Sequence, residues 1–157
     1  PGKDNNSTYI ITADTIGNII QVNLSGDKER IKISNFEGSP YFDYKDINND
    51  KIKEYIFLSN NELKVFSKDK TLLFNYEFTE SVIPQILFFI FPDGKGKIGV
   101  VSKEKNELYL FNDTGSLYKG FPISGNTSFS IADLNNEGFF NLITGSSENS
   151  IYVYQLE

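Results

Sequence analysis

Apolar and polar positions alternate along this chain in short runs bounded by Asn, Asp, Gly and Ser, and one such run returns four times. It reads Asn18-Ile19-Ile20-Gln21-Val22, Asn61-Glu62-Leu63-Lys64-Val65, Asn106-Glu107-Leu108-Tyr109-Leu110 and Asn149-Ser150-Ile151-Tyr152-Val153. The asparagines stand 43, 45 and 43 residues apart. Alternation with a period of two describes a half-buried strand. A repeat of this length marks a supersecondary unit that cannot bury its apolar face alone and stacks on copies of itself. Ile20 with Val22, Leu63 with Val65, Leu108 with Leu110 and Ile151 with Val153 are therefore expected to form the contacts between neighbouring units.

Further apolar segments flank each repeat. Ahead of the Asn runs lie Tyr9–Ala13, Tyr55–Leu58, Ile98–Val101 and Leu142–Gly145, joined to them by short polar turns that read as β-hairpins. Behind them come Ile31–Ile33, Leu72–Tyr76 and Leu117–Phe121. A first segment precedes the hairpin in three copies, as Tyr41–Tyr44, Ile86–Phe89 and Phe129–Ala132. The unit is a four-stranded antiparallel meander, and no longer stretch has helical periodicity. These readings predict an all-β chain of β-propeller type, one repeat domain over 1–157 with blades at 1–40, 41–84, 85–127 and 128–157. The first blade is expected to lack its inner strand and the last its outer strand, an incomplete or open propeller cut from a larger protein. A β-sandwich of similar strand count is the competing architecture, but sandwiches have no reason to keep equal units. The unbroken Ile86–Phe91 run predicts an inner strand covered on both faces. Lys119-Gly120-Phe121-Pro122 reads as an edge strand ended by Pro, which discourages further pairing; Phe121 is also open to a docking role.

Two loops resemble known repeat families. Asp46-Ile47-Asn48-Asn49-Asp50-Lys51-Ile52-Lys53-Glu54 before Tyr55-Ile56-Phe57 is similar to the FG-GAP or VCBS-type repeat, as is Asp133-Leu134-Asn135-Asn136-Glu137-Gly138-Phe139-Phe140-Asn141 before Leu142-Ile143. That family writes Asp-x-Asn-x-Asp-Gly-x-x-Asp before a hydrophobic strand. Leu108–Gly115 resembles the strand-and-turn piece of PQQ-like propeller repeats. The resemblance implies a propeller used for binding on exported or cell-surface bacterial proteins.

The first of these loops has the oxygens for a metal. Asp46, Asn48 and Asp50 alternate, the Ile52 carbonyl adds another oxygen, and Glu54 closes the set at the ninth position. Hard Ca2+ takes about 6–8 such oxygens, so this is a candidate Ca2+ site. The alternative is that Asp46 and Asn48 cap a strand-connecting turn. Lys51 stands where the family has Gly and sets a cation beside the site. The loop at Asp133 is weaker in ligands, Phe91–Gly96 has none to offer, and Asp4-Asn5-Asn6 is a remnant.

Composition narrows the function. The net charge is −6, with no basic stripe for nucleic acid and no attraction to an anionic membrane. No apolar run approaches the ~20 residues of a membrane helix. The absence of Cys and His removes Ser-His and Cys-His nucleophile arrangements, so the expectation is no enzymatic activity. Carboxylate pairs among Asp43, Asp46, Asp50 and Glu54 all sit in one solvated stretch. No cofactor is expected beyond Ca2+. The chain reads as a non-catalytic binding or scaffold domain of a larger exported bacterial protein, periplasmic or at the cell surface, with protein or other blades of its parent as partners. The other reading is carbohydrate binding or carbohydrate activity at the envelope, motivated by Tyr41, Tyr44, Tyr55, Tyr152 and Tyr154. With no Met, the chain is not expected to begin at a native start codon, and Leu156-Glu157 reads as a cloning scar.

Overall fold

The alternating runs fold as strands because side chains of period two give each run one face to bury. The computed structural model describes residues 2–4, 7–36 and 38–156, with 2–4 and 7 described by their backbone. The first sheet holds β1 (Gly2–Asp4), β2 (Ser7–Ala13), β3 (Ile19–Asn23) and β4 (Lys28–Ile31). The second holds β5 (Tyr41–Lys45), β6 (Glu54–Leu58), β7 (Glu62–Phe66) and β8 (Leu72–Glu77). The third holds β9 (Leu87–Ile90), β10 (Gly96–Ser102), β11 (Glu107–Phe111) and β12 (Ile123–Ser124), and the fourth holds β13 (Ser130–Ala132), β14 (Asn141–Gly145) and β15 (Ile151–Gln155). Every sheet is an antiparallel meander in chain order, as the repeat predicts.

Three apolar clusters join the sheets in sequence. Ile19 meets Tyr55, Phe57 and Phe66 between the first and second sheets. Leu63 and Val65 meet Ile98, Val100, Tyr109 and Phe111 between the second and third. Leu108 and Leu110 meet Leu142 between the third and fourth, with Phe140 and Tyr154 packed against them. Among the described residues no cluster joins the fourth sheet back to the first, so the stack is an open arc. The second and third strands of the two middle sheets carry the core: β6 and β10 are buried along their whole length.

Several expectations are corrected. The first sheet has an inner strand: β1 pairs with β2 through Gly2↔Tyr9, Lys3↔Thr8 and Asp4↔Ser7. Its three residues show no apolar alternation, so the pattern could not reveal it. The inner strand β9 is not covered on both faces, since Leu87, Phe88 and Phe89 are half-buried and Ile90 is 60% exposed. The outer strand of the third sheet is β12 rather than Leu117–Phe121. Leu117 makes a single bridge to Phe111, the chain turns at Tyr118–Phe121 where the Phe121 N–H donates to the Tyr118 carbonyl (3.1 Å), and pairing resumes at Ile123. Phe121 is buried in the third–fourth sheet cluster rather than free to dock.

A further correction concerns register. In the first sheet Ile19 enters the joint to the next sheet, not Ile20 and Val22. Ala13 pairs with Ile19 and Ile11 with Gln21, so Ile11, Ala13 and Ile19 share the face that packs on the second sheet. The cause lies in the turn. Asn106 and Asn149 adopt left-handed φ of 54° and 57°, and the joint-facing residue follows two positions later; in the first copy Gly17 holds that conformation at φ 81°. Asn18 instead donates through its N–H and its amide to the two Asp14 oxygens, both at 2.9 Å. A shift of one residue turns every side chain of a strand to the other face. Leu156 also belongs to the fold: it is buried in the same cluster as Leu142, and its N–H donates to the Phe140 carbonyl at 2.8 Å; Glu157 lies outside the described residues.

Candidate functional site

The loop between β5 and β6 carries the residues Asp46, Asn48, Asp50, Ile52 and Glu54. Asp46 accepts the Asn49 N–H at one oxygen (2.7 Å) and the Lys51 N–H at the other (2.8 Å). Asn48 accepts the Asp50 N–H at 3.0 Å and donates its amide to Asp50 Oδ2 at 3.0 Å. Asp50 Oδ1 accepts the Ile52 N–H at 2.7 Å. Glu54 closes the loop from the start of β6, where its Oε2 accepts the Ile47 N–H at 2.9 Å. Its side chain is buried, with the residue 3% exposed. Burial pushes the Glu54 carboxyl up from its ordinary 4.5, opposed by the Ile47 N–H and assisted by the charges of Asp50 and Asp46. The carboxylates thus serve as acceptors for the loop's own N–H groups. Among the described residues no group of three His, Cys, Asp or Glu side chains is placed to hold a metal ion. The calcium expectation continues to rest on the sequence pattern alone.

The loop between β13 and β14 repeats this geometry. Asp133 Oδ2 accepts the Gly138 N–H at 2.9 Å, and the Asn135 amide donates to Glu137 at 2.7 Å. Asn49 and Lys51 have φ of 65° and 71°; their counterparts Asn136 and Gly138 have 58° and 85°. The Asp-rich pattern therefore encodes one turn twice, with a left-handed position that Gly fills at no steric cost and Lys51 fills under strain. Asn5 and Asn6 of the first-blade remnant lie outside the described residues.

Two clefts open beside the second sheet. One, of about 460 Å3, is lined by Ile11 and Thr12 of β2, by Phe42, Asp43, Tyr44 and Lys45 of β5, and by Lys53. Lys53 Nζ lies 5.5 Å from the Tyr44 ring centre, and Lys45 Nζ lies 3.5 Å from Asp43 Oδ1. The other, of about 320 Å3, is lined by Asn35, Phe36, Ser59, Asn60, Asn61, Glu62 and Lys64. Lys64 holds Glu62 at 2.6 Å and covers the Phe36 ring. Neither cleft is legible in the sequence: the first gathers residues from two sheets, and the second sets Asn35 and Phe36 of the segment after β4 against the β6–β7 turn and β7. The Tyr residues divide: Tyr55 is buried and stacks on Tyr44 at 5.2 Å, Tyr154 donates its hydroxyl to the Ser124 carbonyl at 2.9 Å, and Tyr41 is exposed.

Large apolar side chains stand exposed on several sheets, Leu24 at 83% and Ile90 at 60% among them. Ile151 and Val153 on β15 are 75% and 57% exposed, and Ile10 on β2 is 64% exposed. Ile10 pairs with Val22 and Thr12 with Ile20, so these four share the uncovered face of the first sheet. Among the described residues no helix is long and apolar enough to cross a membrane.

No protein-family model and no curated protein matches the chain. Solved structures do. BBS1N, solved in complex with ARL6DN and soaked with lead, aligns at TM-score 0.59 and 7% identity over 95% of this chain and 49% of that one. A streptogramin B lyase aligns at TM-score 0.49 and 14% identity, covering 99% of this chain and 56% of that one. Selenomethionine-substituted virginiamycin B lyase from Staphylococcus aureus aligns at TM-score 0.49 and 10% identity, covering 98% and 57%. The chain spans about half the length of these structures. The likeness shows the fold, an all-β propeller-type arc. It also corrects the expectation of no enzymatic activity drawn from the missing His and Cys: structures that align over nearly the whole chain include lyases. At these identities it assigns no activity to this chain.

Proposed function

We propose that this chain is a propeller-type scaffold domain that holds protein partners, carried on a larger exported or cell-surface bacterial protein. The observation that carries the reading is the stack of four antiparallel sheets, a propeller-type arc whose exposed apolar positions include Leu24, Ile90 and Val153. The solved BBS1N propeller bound to ARL6DN offers a precedent for protein binding on this fold. The resemblance of the Asp46 and Asp133 loops to FG-GAP and VCBS-type repeats supports the exported setting. A photo-crosslinking residue in place of Val153 tests the reading, with the same residue in place of exposed Lys103 as control. Cross-links to protein are expected from position 153 and not from 103. Equal labelling at both positions, or none at 153, overturns it.

A second reading, carbohydrate binding, is favoured by the cleft at Asn35, Asn60 and Asn61. Asn35, Asn60, Asn61 and Glu62 line it together with Phe36, residue types suited to hydroxyl groups. Calorimetric titration with neutral oligosaccharides tests it: binding that weakens in N60A supports the reading, and no heat at millimolar sugar removes it.

A further inference from the structure

The outer strand of a sheet leaves a row of N–H and C=O groups open, and such an edge invites pairing with another chain unless it is charged, shortened or covered. The three four-stranded sheets treat that edge differently. In the first, β4 is Lys28-Glu29-Arg30-Ile31, with three charges in four residues. In the third, β12 is two residues long and follows Pro122, and the Tyr118 N–H closes on the Leu110 carbonyl at 2.7 Å. In the second, β8 reads Leu72-Leu73-Phe74-Asn75-Tyr76-Glu77, with no charge before its last residue, and Leu72 and Leu73 are 46% and 47% exposed. The second sheet has a neighbour packed on each face, so its faces are covered and its outer edge is not.

The hydrogen bonds show which groups of β8 point outward. The Phe78 N–H donates to the Asn61 carbonyl at 2.7 Å, and in the same register Tyr76 pairs with Leu63 and Phe74 with Val65. Alternation then turns the N–H and C=O of Phe74 and Tyr76 toward β7 and those of Asn75 and Glu77 outward. Among the described residues no backbone group meets Asn75 or Glu77 on that side. The register shift between Val65 and Phe66 leaves Leu73 as a bulge, so the regular edge begins at Phe74.

We infer that β8 pairs antiparallel with β8 of a second copy, about a two-fold axis at Asn75. This goes beyond the scaffold reading and uses a different surface. The sequence around the strand is self-complementary in that arrangement. Asn75 meets Asn75 and exchanges both backbone hydrogen bonds with it, Phe74 stands opposite Tyr76 as an aromatic pair, and Lys70 of each copy comes toward Glu80 of the other. Asp69 and Glu77 fall opposite Ser81 and Leu73, so no like charges face each other. Lys70 and Glu80 are both exposed. A cation before the strand and a carboxylate after it favour the antiparallel direction, and they favour a copy of this chain over an uncharged strand. A two-fold contact uses the same patch twice and closes at two chains.

Sedimentation of the 157-residue chain over a concentration series, joined to amide hydrogen exchange, tests this. The expected species has twice the 17.8 kDa mass of the chain and nothing larger, and the Asn75 and Glu77 amides exchange more slowly as it fills. N75P removes the two central donors and leaves the β7 ladder intact; it is expected to raise the dimer dissociation constant about tenfold or more. N75K, a surface change that spares the backbone, sets two like charges on the axis and is expected to raise it too. K70E is expected to raise it roughly threefold, and K70E/E80K to return it to the parent value. A chain that stays monomeric at all concentrations, a dimer that N75P and N75K leave unchanged, a K70E/E80K chain weaker than K70E, or a ladder of larger species each overturn the pairing. A monomer whose Asn75 amide is slowed by an added polythreonine peptide overturns the second copy and assigns the edge to a foreign strand. None of these outcomes touches the scaffold reading, which stands or falls on cross-linking at position 153.

Discussion

Leu108 and Ile151 occupy the same place in their repeats, two residues after a left-handed turn Asn, yet Leu108 is 0% and Ile151 75% exposed. The first lies in a middle sheet with a neighbour on each side, the second in an end sheet with one neighbour. Alternation within a strand selects the face; only the presence of another sheet buries it. The contrast makes a strong prediction. L108A removes a side chain packed among Leu110, Phe121 and Leu142 and is expected to cost about 2–5 kcal/mol. I151A should change stability by no more than about 0.5 kcal/mol. Urea denaturation of both variants checks this. Equal losses would mean that the fourth sheet is covered in the single chain.

The same contrast explains what the sequence discloses. The period and the meander were readable because each middle strand writes its buried face as an alternation: Leu63 and Val65, Leu108 and Leu110. The ends were less readable. β1 is too short and too polar to alternate, and β12 follows a turn that no apolar run announces. The first repeat misleads by one residue because Gly17, not Asn18, takes the left-handed turn position, so the matching Asn run points Ile20 and Val22 away from the joint. The Asp-rich loops were legible as turns but not as a site. Their donor pattern is the same whether the oxygens hold a cation or the loop's own N–H groups, and Asp46 holds two of those. The clefts at Lys53 and at Asn60 bring together segments distant in the chain and leave no local trace.

A smaller effect compares the same turn in the middle and end sheets. Lys51 and Gly138 share the left-handed position, at φ 71° and 85°. K51G should stabilise the chain by about 0.5–1 kcal/mol, since the relief of left-handed strain outweighs the added freedom of the unfolded chain. G138A should destabilise it by about 1 kcal/mol; a Cβ there meets nothing within 4 Å, so the cost is backbone strain alone. Thermal melting of the two variants is the measurement. A K51G chain no more stable than the parent would mean that the Lys51 side chain contributes a contact that offsets its strain.

The smallest expected effect is a pH slope, again a difference between the middle and end copies. Glu54 of the second sheet and Asn141 of the fourth close equivalent loops, and only Glu54 titrates. Burial raises the Glu54 carboxyl above its ordinary 4.5, so the folded chain binds that proton more tightly than the unfolded chain does. Stability from this group is then greatest at low pH. It declines as pH rises from about 4.5 through the raised folded value and is flat above it. E54Q keeps an acceptor for the Ile47 N–H, now 2.9 Å from Glu54 Oε2, and removes the buried charge. The variant should lose that decline and become relatively more stable than the parent toward neutral pH. Denaturation midpoints of both chains between pH 4 and pH 8 read the difference. Parallel curves would mean that the ionised Glu54 is solvated through the loop. A variant that falls behind as pH rises would mean that the charge itself holds the loop, through the Ile47 N–H, and that the end-sheet loop closed by Asn141 is the weaker of the two.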